Sequence, residues 1–142
     1  MKEGKYKSVA DNAFYISGSK SVLKGVHLPD TITYIGNSAF RNQATLENIS
    51  LNDNITFIGE YAFSSNGGSL VLDKLPSNLE FLGHDAFADA GSGVTISEIP
   101  LKLTSIENKV FYRCPNVTIN VFGSLTGEIN GSKITSIGSG AF

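Results

Sequence analysis

The sequence predicts an α/β-type repeat solenoid, right-handed, with a narrow parallel β-sheet along one side and short turns or helical turns on the other. Three observations point there. One hexapeptide recurs along the 142-residue chain, an alternating apolar stretch follows most copies, and turn formers abound, with 15 Gly and no Trp.

The hexapeptide is IGNSAF at 35–40. It returns as IGEYAF (58–63), LGHDAF (82–87), IENKVF (106–111) and IGSGAF (137–142), with a degenerate copy, VADNAF, at 9–14. Its closing residues are Phe14, Phe40, Phe63, Phe87, Phe111 and Phe142, separated by 26, 23, 24, 24 and 31 residues. Six of the nine Phe therefore share one slot. Five residues before each stands an aliphatic: Val9, Ile35, Ile58, Leu82, Ile106 and Ile137. Three further back lies another apolar position, with Ile32, Ile55, Leu79, Leu103, Ile134 and, in the degenerate copy, Tyr6. A period in this range marks stacked coils, because one coil cannot bury its own apolar face while neighbours stacked on it can. Each Phe is expected to stack on the next. The glycine after the aliphatic (Gly36, Gly59, Gly83, Gly138) suits a positive φ or a close backbone approach.

Between the hexapeptides runs a second register: LKGVHL (23–28), LENISL (46–51), LVLDKL (70–75), VTISEI (94–99) and VTINVF (117–122). Alternation of apolar and polar residues over such short spans predicts a half-buried strand. LPDTI (28–32), LPSNL (75–79) and IPLKL (99–103) then turn the chain away, since Pro fixes φ and has no N–H for a ladder.

Together these residues spell LPxxLxxIGxxAFxxxxxLxxIxL, which resembles the BspA-type leucine-rich repeat over essentially the whole chain, Val9 to Phe142. The resemblance implies a leucine-rich-repeat solenoid displayed outside a bacterial cell, serving adhesion or protein binding without catalysis. Three departures stand out. Glu107 and Val110 replace Gly and Ala, Gln43-Ala44 stand where many members carry Cys-x (matched here by Cys114), and GSLTGEINGSK (123–133) is longer than the equivalent turn elsewhere. The chain divides as one domain, 1–142, of about six units: a degenerate N-terminal unit (1–27), regular repeats (28–122), and a longer turn with a truncated last unit (123–142).

On an alternating strand, the residues between core aliphatics face outward. The expected outer rows hold Gly25 and His27, Asn48 and Ser50, Val71 and Asp73, Thr95 and Ser97, then Thr118 and Asn120. These are small, polar side chains without the aromatic and Arg anchors of tight interfaces. A binding face and a merely solvated sheet fit them equally. Binding residues, if the face binds, are His27, Asn48, Ser50, Val71, Asp73, Thr95, Ser97, Thr118 and Asn120.

Other chemistry is sparse. A net charge of −2 argues against a phosphate-dominated nucleic-acid binder. His27 and His84 fall on different faces, so a shared metal site is not expected. Nothing sets a nucleophile beside a base at a recognisable spacing, no calcium loop or phosphate-binding glycine motif appears, and no cofactor is implied. Cys114, the single cysteine, fits a small buried side chain. Between Asn42 and Ile99 eight acids meet one base, Lys74, which predicts a solvated acidic flank or a surface for cations or a basic partner. Four Asn-x-Ser/Thr sequons (Asn48, Asn54, Asn116, Asn130) matter only in a eukaryotic secretory setting.

No stretch is apolar enough to span a membrane, and the N-terminus lacks the apolar core of a signal peptide. That leaves a cytosolic protein or a fragment without its targeting segment, whereas the family resemblance implies the cell surface or secretion. The expected partner is a protein, such as a host extracellular-matrix or other cell-surface protein. Phe142 calls for a covering coil, so continuation into a longer array or end-to-end self-association through the uncapped C-terminal coil is a further expectation.

Overall fold

The computed structural model describes residues 5–18, 21–67, 70–72, 74–91, 93–96, 99–115, 117–119 and 134–142. Asp73, Ser97, Asn120 and the 123–133 segment lie outside these described residues. Each coil takes its name from its Phe.

The alternating stretches form the expected parallel sheet. Gly25–His27 (β2), Asn48–Ser50 (β4), Val71–Leu72 (β6), Gly93–Ile96 (β8) and Thr118–Ile119 (β10) pair in the order β10-β8-β6-β4-β2. A second parallel ladder was not anticipated. Ser8–Val9 (β1), Tyr34–Ile35 (β3), Phe57–Ile58 (β5) and Phe81–Leu82 (β7) form a four-stranded sheet, and Ser105–Ile106 (β9) pairs with Ser136–Ile137 (β11) at the equivalent place. The chain re-extends after the Pro-bearing corner, and the aliphatic that opens the hexapeptide then has a stacked equivalent to pair with. Val9, Ile35, Ile58 and Leu82 stand directly opposite one another in succession.

The hexapeptide turns are not helical. Among the described residues they are successive β-turns, with positive φ at Asn12, Ser38, Tyr61, Asp85 and Lys109 and, four residues later in most coils, at Asn42, Ser65, Asp89 and Arg113. A left-handed residue breaks a right-handed helical run. It also reorients alternate peptide groups. Ala39 N–H closes a turn onto Gly36 C=O at 3.3 Å, whereas Ser38, Phe40 and Asn42 N–H reach the next coil's Glu60, Ala62 and Ser64 carbonyls at 2.8, 2.8 and 3.0 Å. Backbone groups that a helix would satisfy internally thus tie coil to coil.

Inside, the Phe residues form the expected column. Ring centroids from Phe14 through Phe40, Phe63, Phe87 and Phe111 to Phe142 are 5.0, 5.3, 5.1, 5.7 and 5.7 Å apart and nearly parallel. The four inner rings are fully buried, beside Ile35, Ile55, Ile58, Leu79 and Leu82. Tyr6 departs from its assigned apolar slot and is exposed.

The hexapeptide glycines serve close approach. Gly59 has no left-handed φ, yet a Cβ there would fall 2.5 Å from Asn37 Oδ1 and 2.7 Å from Asn37 N. Gly83 would meet Glu60 N at 2.6 Å.

Gln43 and Cys114 occupy matching places three residues after Phe40 and Phe111. The Gln43 side chain donates through Nε2 to the Phe14 carbonyl, and the Cys114 thiol donates to the Phe87 carbonyl at 2.9 Å. Gln43 is fully buried and also accepts from Ser21 Oγ at 2.8 Å. Burial pushes the Cys114 thiol above its ordinary range and keeps it protonated.

Candidate functional site

The five-stranded sheet brings together much of the outward row. His27, Asn48, Ser50 and Val71 are exposed, while Ile49 and Leu72 point inward. In a parallel pair Asn48 stands opposite Gly25 and Val71, and Ser50 opposite His27. Together with Val26 and Ile49 they line a shallow, open depression of about 460 Å³. Its outward side chains are one imidazole, one carboxamide, one hydroxyl and the exposed Val71.

The upper part of the row is offset from the simple repeat alignment. Val71 pairs with Gly93 and Leu72 with Val94, whereas Thr95 and Ile96 pair with Thr118 and Ile119. The longer β8 serves β6 with its first half and β10 with its second. Thr95 and Thr118 are therefore neighbours, but Thr95 is two residues beyond the position opposite Val71. The displacement is even, so the parity of the strand is kept.

The second sheet carries a surface that the sequence reading missed. Tyr34, Phe57 and Phe81, one per coil, stack at 4.5 and 4.7 Å with nearly parallel rings. Tyr34 and Phe81 are 36% and 37% exposed, so the three present ring edges to solvent while covering each other's faces. An aromatic directly before Ile-Gly or Leu-Gly in three consecutive units was the available signal. Ser8 opposite Tyr34, and Ser105 in the equivalent place of the Phe111 coil, replace the aromatic at either side of the row.

Among the described residues, four of the eight acids between Asn42 and Ile99 pair with the next coil. Asp53 meets Lys74 at 2.8 Å, Glu60 meets His84 at 3.0 Å, Glu80 meets Lys102 at 3.6 Å and Asp89 meets Arg113 at 3.2 Å. Each acid precedes its partner by one coil. Exposed pairs contribute about 0.2–1 kcal/mol each, so their effect lies in coil register more than in stability. The Lys74 ammonium, and then the Ser77 amide at 3.0 Å, hold the Asp53 carboxyl below its usual range.

His27 lies on β2 and His84 on the hexapeptide turn of the Phe87 coil, apart from each other. Among the described residues no group of three or more His, Cys, Asp or Glu is placed to hold a metal ion, and no helix is long and apolar enough to cross a membrane.

Three solved structures with a similar fold come from bacteria. A Treponema pallidum leucine-rich repeat protein is 24% identical, with a TM-score of 0.58, over 93% of this chain and 66% of that one. A leucine-rich cell surface protein from Faecalibacterium prausnitzii is 23% identical, with a TM-score of 0.60, over 100% of this chain and 42% of its own. A Bacteroides ovatus leucine-rich repeat protein is 23% identical, with a TM-score of 0.52, over 80% of this chain and 34% of its own. The chain thus spans between about a third and two thirds of these proteins, and the likeness is one of fold. No curated protein shows significant sequence similarity to it. The model of the BspA type leucine rich repeat region matches six copies over residues 7–142. With its recurring hexapeptide, stacked Phe column and paired parallel ladders, the chain belongs to the BspA-type leucine-rich repeat family.

Proposed function

We propose that the chain is a non-catalytic protein-binding module of a bacterial cell-surface or secreted protein, and that its role is adhesion to a host extracellular-matrix protein or another cell-surface protein. The observation that carries this reading is the pair of outward sheet faces: the depression around His27, Asn48, Ser50 and Val71, and the aromatic row Tyr34–Phe57–Phe81. Aromatic side chains are enriched in protein interfaces, and Tyr is among the residue types that most often dominate their energy. The solved cell-surface relative from Faecalibacterium prausnitzii supports display outside the cell.

The test is an array of extracellular-matrix proteins and bacterial surface fractions, probed with the native chain. Two variants accompany it, one with Asn48→Lys and Val71→Lys, the other with Tyr34→Ser and Phe81→Ser. Binding that either variant abolishes supports the reading and says which sheet binds. No binding by the native chain removes the adhesion reading.

A structural spacer, extending another domain that does the binding, is the second reading. The small polar character of the first sheet's outer row favours it. Parent-protein binding unchanged by Lys at Asn48, Asp73, Thr95 and Thr118 selects it.

A further inference from the structure

His84 follows Gly83 on the turn of the Phe87 coil, and its side chain is 35% exposed. Both ring nitrogens face carboxylates. Nε2 is 3.0 Å from Glu60 Oε2 on the preceding coil, and Nδ1 is 3.0 Å from Asp85 Oδ2 on its own turn. A neutral imidazole has one N–H and one lone pair, so it can donate to only one of these carboxylates and sets its lone pair against the other. The imidazolium donates to both.

The surroundings make this bridge more than a surface pair. The ring lies edge-on to Tyr61, with centroids 4.8 Å apart and an interplanar angle of 83°. The Arg41 guanidinium covers the Tyr61 ring at 4.8 Å. Tyr61 has a φ of 55°, unusual for so bulky a residue, and its amide donates to the His84 carbonyl at 3.1 Å. From the other side the Phe111 coil supplies Asn108, whose carbonyl accepts the Asp85 amide at 3.0 Å, and Lys109, whose Nζ is engaged over the Tyr112 ring. Among the described residues, the charged and titratable groups around the imidazole are thus Glu60, Asp85, Tyr61 and, through Tyr61, Arg41.

We propose that His84 is a proton-operated clasp between the Phe63 and Phe87 coils: protonated, it holds Glu60 and Asp85 at once, and when its proton leaves to water one carboxylate is released and the Tyr61–Arg41 stack loses its support. The clasp sits on the hexapeptide turns that leave the second sheet, His84 two residues past Leu82 of β7 and Glu60 two past Ile58 of β5. The Asp85 hydrogen bond, opposed by partial burial and reinforced by the Glu60 charge, holds the imidazole above its ordinary 6.5. The clasp is then closed below 6.5 and opens as pH rises through the higher folded value.

The test follows the His84 ring protons by NMR against pH, assigned by their loss in His84→Gln. The expected titration midpoint is above 6.5 and falls in both Glu60→Gln and Asp85→Asn. Amide exchange at Tyr61, corrected for the intrinsic rate, reads the clasp locally, and its protection should be higher at about pH 5 than at about pH 8. In Glu60→Gln, which keeps the imidazole, that pH difference should shrink. A midpoint at or below 6.5, a midpoint indifferent to both carboxylates, or Tyr61 protection that does not change with pH would overturn the proposal.

Discussion

Asn37 Oδ1 accepts the Glu60 amide of the next coil at 2.9 Å, and the same oxygen would lie 2.5 Å from a side chain placed on Gly59. The carboxamide and the missing side chain are two halves of one contact. Asp11 with Asn37 N (2.8 Å) and Asn108 with Ser139 N (2.8 Å) repeat it, ahead of Gly36 and Gly138.

Gly59→Ala should therefore destabilise the protein by roughly 1–3 kcal/mol, the range of an overpacked site. Asn37→Ala should cost about 1 kcal/mol, a hydrogen bond's share. Combining the two should recover only part of the Gly59→Ala loss, because Asn37 N and Gly36 C, at 2.7 and 2.8 Å from the added carbon, remain. Urea unfolding of the single and double variants measures all three.

Position in the Phe column should grade the cost of truncation. Phe63 is fully buried between Phe40 and Phe87, so Phe63→Ala should cost about 3–5 kcal/mol. Phe14 is 46% exposed with Phe40 stacked on one face, and Phe14→Ala should cost roughly 1–2 kcal/mol. Equal losses in chemical unfolding would contradict a stack whose members depend on neighbours.

Ser64 should be better as alanine. Among the described residues its hydroxyl is buried without a hydrogen-bond partner, and the equivalent residue one coil on is Ala88. Ser64→Ala should raise stability by about 1 kcal/mol, the cost of leaving a buried polar group unpaired. A melting temperature that falls would show that the hydroxyl has a use.

Asp53 should give the protein acid sensitivity of known sign. Its carboxyl is lowered from 3.8 in the folded state, by Lys74 first and the Ser77 amide next. The stability it contributes is present above 3.8 and lost as pH falls through the lower folded value. Asp53→Asn should cost under about 1 kcal/mol near neutrality, since the pair is exposed, and should flatten the acid limb of a stability-against-pH curve.

The outer aromatic row should couple energetically as well as geometrically. A double-mutant cycle on Tyr34 and Phe57, stacked at 4.5 Å, should return about 0.5–1.5 kcal/mol. Zero coupling would mean that the rings only share a surface.

Much of this architecture is visible in the residues alone. The Phe slot, the aliphatic five places before it and the alternating stretch recur together in each unit, so stacking puts like upon like. Asn37 and Ser38 look free to vary in the hexapeptide, yet Asn37 caps the next coil and Ser38 takes a φ of 54°. Their roles escape a reading by residue type because the same two places hold Glu60-Tyr61, His84-Asp85 and Asn108-Lys109 in other coils. A backbone conformation repeated under different side chains leaves no sequence period.

The recurrence in the sequence by itself determined the solenoid, its Phe column and its first parallel sheet, because an apolar face of one coil has nowhere to hide except against the next. The tertiary structure alone decided the rest. It set the second ladder, the stacked edges of Tyr34, Phe57 and Phe81, the two-residue offset along β8, and the meeting of His84 with Glu60 and Asp85. Those depend on how far each coil is turned and raised relative to its neighbour. Residue spacing along the chain carries that information only through the closed backbone path, and a few left-handed residues redirect the path without changing the spacing.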